Sequence, residues 1–254
     1  KTKSSTTQVL LKFSRHSIQL LHTMINQNEL HQRIVYEDNH LISVNKKPSW
    51  LVQGDKTGDE SLVDALKIYL KQKYSKPGDV FLGSFHRLDR PVSGLVTFAK
   101  TSKALERMNK IFARRAVNKT YLAITAGHPP KETSVITHFL LKDIKTNIVK
   151  AYSPEIRYPP AAKEAVLEYK LLKTNGKISL LEIHPITGRS HQIRAQLAAI
   201  GCVIVGDLKY GYPSPLPDKS IALHGYSIEF EHPVQHKPLK IVAEIPDSEW
   251  WKRL

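Results

Sequence analysis

Glu164-Ala-Val-Leu-Glu-Tyr-Lys-Leu-Leu172 and Lys177-Ile-Ser-Leu-Leu-Glu-Ile-His184 flank the dipeptide Asn175-Gly176, and the reading of this stretch decides the fold class. Both arms alternate apolar and polar residues, as strands with one buried face do. Asn-Gly between such arms is a strong hairpin signal, because both residues accept positive φ. Working outward, Leu41-Ile-Ser-Val44 reads as a buried strand ended by Asn45-Lys-Lys-Pro48. Leu95–Lys100, Tyr121–Thr125, Ile221–Phe230 and Leu239–Ile245 supply further strands. Glu60–Lys73 places Leu62, Ala65, Leu66, Tyr69 and Leu70 on one helical face, with Asp59 or Ser61 as its cap. Thr101 or Ser102 caps a second helix, whose apolar side is Leu105, Met108, Ile111 and Phe112. Ser190–Ile200 reads as a third, stopped by Gly201. Hairpins dominate over strand–helix alternation. The expected class is α+β, with a mixed, mostly antiparallel sheet flanked by helices around a basic cleft.

Composition narrows the partners. The 254 residues carry 38 Lys and Arg against 23 Asp and Glu, a net charge of +15. Such an excess speeds encounter with polyanions and supplies phosphate contacts. No lysine-rich amphipathic helix suited to a membrane interface is visible, and no apolar run approaches the roughly 18 residues needed to span a bilayer. Nucleic acid is the expected partner. The single cysteine, Cys202, excludes an internal disulfide and a multi-cysteine zinc site; within the apolar run Ile200–Val205 it reads as a buried, inert thiol.

Residues 1–28 contain Lys1, Lys3, Lys12 and Arg15 and no acidic residue. They superficially resemble a transit peptide; the competing reading is that residues before Met24 are non-native. A flexible basic extension over 1–28 and one catalytic domain over 29–254 are expected, with a cytoplasmic location unless the extension is a true targeting segment.

Three segments carry chemistry. In His86-Arg87-Leu88-Asp89-Arg90, followed by Ser93-Gly94, one carboxylate lies between two permanent cations beside a turn. Nearby guanidinium groups favour the ionised acid even when it is partly desolvated, which suits covalent or acid–base work. In Lys119-Thr-Tyr121, strand alternation points Lys119 and Tyr121 to one face. There the tyrosine can stack on a base and offer its hydroxyl. In Thr187-Gly-Arg-Ser-His-Gln-Ile-Arg194, Gly188 permits a sharp turn and Arg189 sits at a strand-to-helix junction, placed to pin a carboxylate. His191, Gln192 and Arg194 open the helix, able to meet phosphate or to structure the junction. Gly206-Asp207 and Tyr210-Gly211 read as mainly structural turns.

Together these segments resemble the RluA family of pseudouridine synthases: the Asp89 segment its catalytic motif, Lys119-Thr-Tyr121 its tyrosine motif, and Thr187–Arg194 its arginine motif. Gly206-Asp207 and Tyr210-Gly211 match the signature that follows. The resemblance covers about residues 33–246, and the separate N-terminal RNA-binding domain common in several branches is expected to be absent. Pro91-Val92 and Ala195-Gln196 depart from the usual pattern and bear on substrate choice.

The likeness implies the pseudouridine synthase fold and the isomerisation of a specific uridine in rRNA or tRNA. The C1′–N1 bond is cleaved, the uracil turns, and C5 joins C1′. It implies Asp89 as the essential carboxylate, by attack on sugar or base or by a glycal route. Arg189 would be its ion-pair partner. Tyr121 would stack on the uracil and help to take the C5 proton. Arg87 would fill the stack when the nucleotide is flipped, with His86, Arg90, Lys119, His191 and Arg194 as further RNA contacts. No metal or other cofactor is called for, and a monomer acting on a structured stem-loop is expected. Two rivals stand beside this reading: a non-catalytic RNA-binding protein of the same fold, and a metal-dependent hydrolase using His86, Asp89, His184 and His191.

Overall fold

The computed structural model describes residues 24–253. In chain order the elements are α1 (Gln27–Gln32), β1 (Ile34–Glu37), β2 (Leu41–Lys46), α2 (Leu62–Lys73), β3 (Gly83–Ser84), β4 (Ser93–Ala99) and α3 (Ser102–Ala113). There follow β5 (Val117–Ala126), β6 (Thr133–Asp143), β7 (Ile148–Tyr152), β8 (Lys163–Thr174), β9 (Ile178–Pro185) and α4 (Gln192–Ala199). β10 (Leu223–Glu231), β11 (Pro238–Val242) and α5 (Glu249–Lys252) complete the described chain. The strands form one sheet in the order β1-β2-β4-β10-β5-β9-β8-β6-β7, with β3 on β4 and β11 on β10. This is the α+β architecture that the hairpin pattern implies.

The predicted hairpin is β8–β9, Leu171 facing Leu181 across it and Asn175-Gly176 at its turn. Ser61, not Asp59, caps α2 through a capping box with Asp64, and Thr101 caps α3. Beneath the sheet Phe98, Leu66, Ile124, Leu181 and Leu197 are fully buried in one apolar core, which also takes in Cys202 as expected.

β4 and β10 run parallel, whereas the other strand pairs are antiparallel among the described residues. The contact is short, Ser93 to His224 and Gly94 to Gly225. Gly94 has φ +113°, and a Cβ there would lie 2.4 Å from the Gly225 backbone. Only glycine fits. The loop that carries Asp89 enters β4 at this close approach.

Two expectations change, and one hairpin goes unannounced. The folded unit begins before residue 29: Ile25 is buried in the core and its N–H donates to Glu60 Oε2 at 2.5 Å, while Asn26 caps α1. Residues 1–23 of the expected extension lie outside the described residues. The third helix starts at Gln192 instead of Ser190, because His191 takes a left-handed conformation, φ +50°. The β6–β7 hairpin is not announced by the sequence, since its turn lacks glycine and only His138 and Leu140 of β6 are buried.

Candidate active site

Asp89 sits on the loop between β3 and β4, and its neighbours are locked from behind. Leu88 is buried against Gly225. The Arg90 carbonyl accepts from the Ser49 N–H at 2.9 Å and from Lys46 Nζ at 3.1 Å. Lys46 is wholly buried and also donates to the carbonyls of Lys47 and Trp50, both at 3.0 Å. Three acceptors match the three N–H bonds of an ammonium. Burial lowers its pKa to about 7, with the Asp89 charge pulling the other way. In sequence this lysine belongs to the polar run Asn45-Lys-Lys-Pro48 that ends the strand, and nothing local marks it as buried.

The guanidinium that holds Asp89 belongs to Arg194, not to Arg189. Arg194 Nη1 donates to Asp89 Oδ2 at 2.9 Å, while Nε and Nη2 grip Asp207 at 2.7 and 2.8 Å. Burial opposes the Arg194 charge, but Asp207 and Asp89 more than offset it and raise its pKa above that of free arginine. Arg189 projects outward, its Nε donating to the Glu164 carbonyl at 3.0 Å in an exposed setting. What is fixed at the junction is the Arg189 backbone: its N–H donates to Gln192 Oε1 at 2.9 Å, and Gln192 Nε2 reaches the Val166 carbonyl at 3.0 Å. Every residue of α4 from Gln192 to Leu197 is buried. An arginine in such a helix must find carboxylates, because an unpaired buried charge is too costly.

His191 and the following turn belong to this cluster. His191 Nε2 lies 3.7 Å from Asp89 Oδ2, and Nδ1 is 2.9 Å from the Tyr210 hydroxyl. The Tyr210 ring lies under the Arg194 guanidinium, 5.1 Å away. Burial lowers the His191 pKa to about 4 against the opposing pull of Asp89, so the ring is neutral at pH 7. Asp207 and Tyr210, read from sequence as structural, are therefore parts of the site.

The cluster opens into a cavity of about 640 Å³ lined by Asp89, Tyr121, Arg87, Lys119, Lys142 and Arg189, among others. Its volume suits a small ligand or a flipped nucleotide. Tyr121 and Lys119 share a face of β5, as alternation predicts. Burial and then the Asp89 charge push Tyr121 up to about 12, so it is an un-ionised phenol at neutral pH. Burial also lowers the Lys119 pKa.

Four of the expected RNA contacts are already occupied within the protein. Arg194 is 5% exposed and ion-paired with both Asp89 and Asp207. His86 Nε2 accepts the Thr97 N–H at 2.9 Å and its ring stacks on Phe112; burial, then Lys119, hold it neutral with a pKa of about 3. Arg90 is taken up by Asp59 at 2.6 Å and by the Ser49 carbonyl. The His191 side chain is 8% exposed and lies beneath Asp89. Arg87 is exposed at the cleft and Lys119 lines it. The metal-ligand set of the hydrolase reading does not assemble: His86 is tied to Thr97 and His184 to Glu182, at 3.0 Å.

A carboxylate held by a buried arginine lines one basic cleft with a tyrosine, an arrangement that suits an enzyme acting on a polyanion such as a nucleic acid. The RNA pseudouridylate synthase family profile matches residues 40–199. A ribosomal large subunit pseudouridine synthase C of Rickettsia typhi is 35% identical over 84% of this chain and 68% of its own length. The mitochondrial pseudouridylate synthase RPUSD4 of Xenopus tropicalis is 29% identical over 88% of this chain and 79% of its own. In structure, human RNA pseudouridylate synthase domain containing 4 superposes with a TM-score of 0.73 at 24% identity, over 87% of this chain and 91% of that one. The chain belongs to the RNA pseudouridylate synthase family, in its RluA-type branch, and is an isomerase.

Proposed function

We propose that this enzyme converts a uridine of ribosomal RNA into pseudouridine, with Asp89 as the essential carboxylate. The observation that carries the reading is the ion pair of Asp89 with Arg194 at the floor of a basic cleft that also holds Tyr121. The names of the bacterial relatives point to large-subunit rRNA as the substrate. The uridine enters flipped, at a cost of a few kcal/mol that phosphate contacts offset. Arg87 and Lys119 supply such contacts, and Arg87 fills the vacated stack. Asp89 acts beside the C1′–N1 bond, held in place by Arg194. Tyr121 stacks on the uracil. With a pKa of about 12, it assists removal of the C5 proton only by passing its own proton on. The substrate is a structured stem-loop and the enzyme acts as a monomer.

The test is pseudouridine mapping of total RNA with and without the gene, together with purified Asp89→Asn. The expected result is loss of one or a few rRNA pseudouridines, and a variant that binds the RNA segment but forms no product. Unchanged rRNA, or an active Asp89→Asn, overturns the reading.

A further inference from the structure

Asp89 has two carboxylate oxygens, and among the described residues its closest side-chain partners, Arg194 and His191, address the same one. Arg194 Nη1 donates to Oδ2 at 2.9 Å, and His191 Nε2 lies 3.7 Å from Oδ2. We propose that His191 and Tyr210 form a positioning pair that, with Arg194, holds Oδ2 and leaves Oδ1 to react with the nucleotide. The proposal rests on Asp89 being the reacting carboxylate.

Arg194 by itself cannot fix the carboxylate. Of its five N–H donors, two bond Asp207 and one bonds Asp89, on Oδ2 alone. A single bond of that kind leaves the group free to turn about Cβ–Cγ. A second contact is needed, and His191 is the side chain placed to make it.

The carboxylate selects the tautomer. The Val149 N–H donates to the Tyr210 hydroxyl oxygen at 3.0 Å. That oxygen can accept twice and lies 2.9 Å from His191 Nδ1, so this pair by itself permits either donor. A neutral imidazole that accepts at Nδ1 carries its own proton on Nε2, the nitrogen facing Asp89. The opposite tautomer would set a nitrogen lone pair against a carboxylate. The present 3.7 Å is longer than a hydrogen bond, and catalytic contacts of this kind tighten when substrate is bound.

The backbone is shaped for the same end. His191 holds φ +50° at the start of α4 and its side chain makes no cap bond to the helix. That conformation is uncommon outside Gly, although His adopts it more readily than most residues, and it persists where the surroundings favour it. Here it turns the ring under the carboxylate, away from solvent. Tyr210 touches both holders, since its ring also lies under Arg194.

The experiment uses the full chain and the rRNA segment identified by mapping, with single-turnover rate and RNA affinity measured separately. His191→Ala is expected to slow product formation roughly 10- to 100-fold, the worth of one hydrogen bond to a charge, with RNA affinity unchanged. His191→Gln should recover most of the rate, because its amide N–H reaches the Nε2 position. Tyr210→Phe should also be slower, and the double variant His191→Ala/Tyr210→Phe no slower than His191→Ala. Imidazole ¹⁵N NMR should show the Nε2–H tautomer in the parent and a mixture in Tyr210→Phe.

An unchanged rate in His191→Ala, a loss confined to RNA affinity, or an Nδ1–H tautomer in the parent overturns the proposal. Should His191→Ala not fold, Tyr210→Phe carries the test, since it leaves the backbone at 191 untouched. Asp89→Asn is measured alongside. If it is inactive while His191→Ala is fully active, only the positioning role fails; if it is active, the functional reading beneath it fails.

Discussion

Arg194 Nη1 lies 2.9 Å from Asp89 Oδ2, joining two residues 105 positions apart in the chain. Asp89 leads into β4 and Arg194 sits one turn into α4, so the contact exists only when both elements pack on the same sheet. The ion pair is thus a product of the fold as much as a support for it.

Removing Arg194 should therefore hurt both stability and activity. Arg194→Met leaves two carboxylates, Asp89 and Asp207, without their shared cation. A loss of about 3–5 kcal/mol is expected from breaking a buried pair, with product formation abolished. Arg189→Ala should retain the parent's unfolding midpoint and its rate at saturating RNA. Urea unfolding and single-turnover assays on the two variants decide between the arginines; an inactive, destabilised Arg189→Ala would reverse the assignment.

Tyr121→Phe keeps the ring and removes only the hydroxyl. RNA affinity should stay close to the parent's while the rate falls by about 10²–10⁴, the usual span for a lost proton-transfer group. Equal rates for the two enzymes would restrict Tyr121 to stacking.

Lys46→Met should loosen the Asp89 loop. The substitution keeps the buried alkyl chain but strips the Lys47, Trp50 and Arg90 carbonyls of a donor. The Arg90 carbonyl keeps the Ser49 N–H and the Lys47 carbonyl keeps the Trp50 N–H, so the Trp50 carbonyl bears the main loss. One unsatisfied buried acceptor costs about 1–3 kcal/mol, and a lower unfolding midpoint and a slower enzyme are expected together. A variant as stable as the parent would show that water replaces the ammonium without cost.

Acid should destabilise the fold well before carboxylates titrate. Burial holds His86 at a pKa of about 3 and His224 at about 4, below the ~6.5 of an unfolded-chain histidine. As pH falls below ~6.5 the unfolded chain takes up protons that the folded chain refuses, so stability declines. The contribution is complete above pH ~6.5 and is lost toward pH 4, at ~1.4 kcal/mol per pH unit for each ring. Urea unfolding at pH 7, 6 and 5 measures the slope, which His86→Gln should reduce. A flat profile over this range contradicts the burial of these rings.

Much of this was legible in residues. The β8–β9 hairpin announced itself through Asn175-Gly176 and strict alternation, both local properties. Asp89 and Tyr121 stood out because their motifs are contiguous, and strand periodicity alone put Lys119 on the face of Tyr121. The β6–β7 hairpin escaped because its exposed arms lack a clean period. Arg189 misled for a related reason: a junction residue looks pinned, and its backbone is, but its side chain is not. Arg194 was visible as a charge in an otherwise buried helix, yet its direction depends on the left-handed His191 before it.

Sequence by itself determined the class of the fold, the family resemblance, and the acid and tyrosine of the cleft, since these rest on periodicity and contiguous motifs. Tertiary structure decided which arginine meets Asp89, that Asp207, Tyr210 and Lys46 belong to the site, and that His86, Arg90 and Arg194 are spent inside the protein. The physical reason is that a charge's partner is set by burial and by the direction of a side chain in space. Spacing along the chain specifies neither.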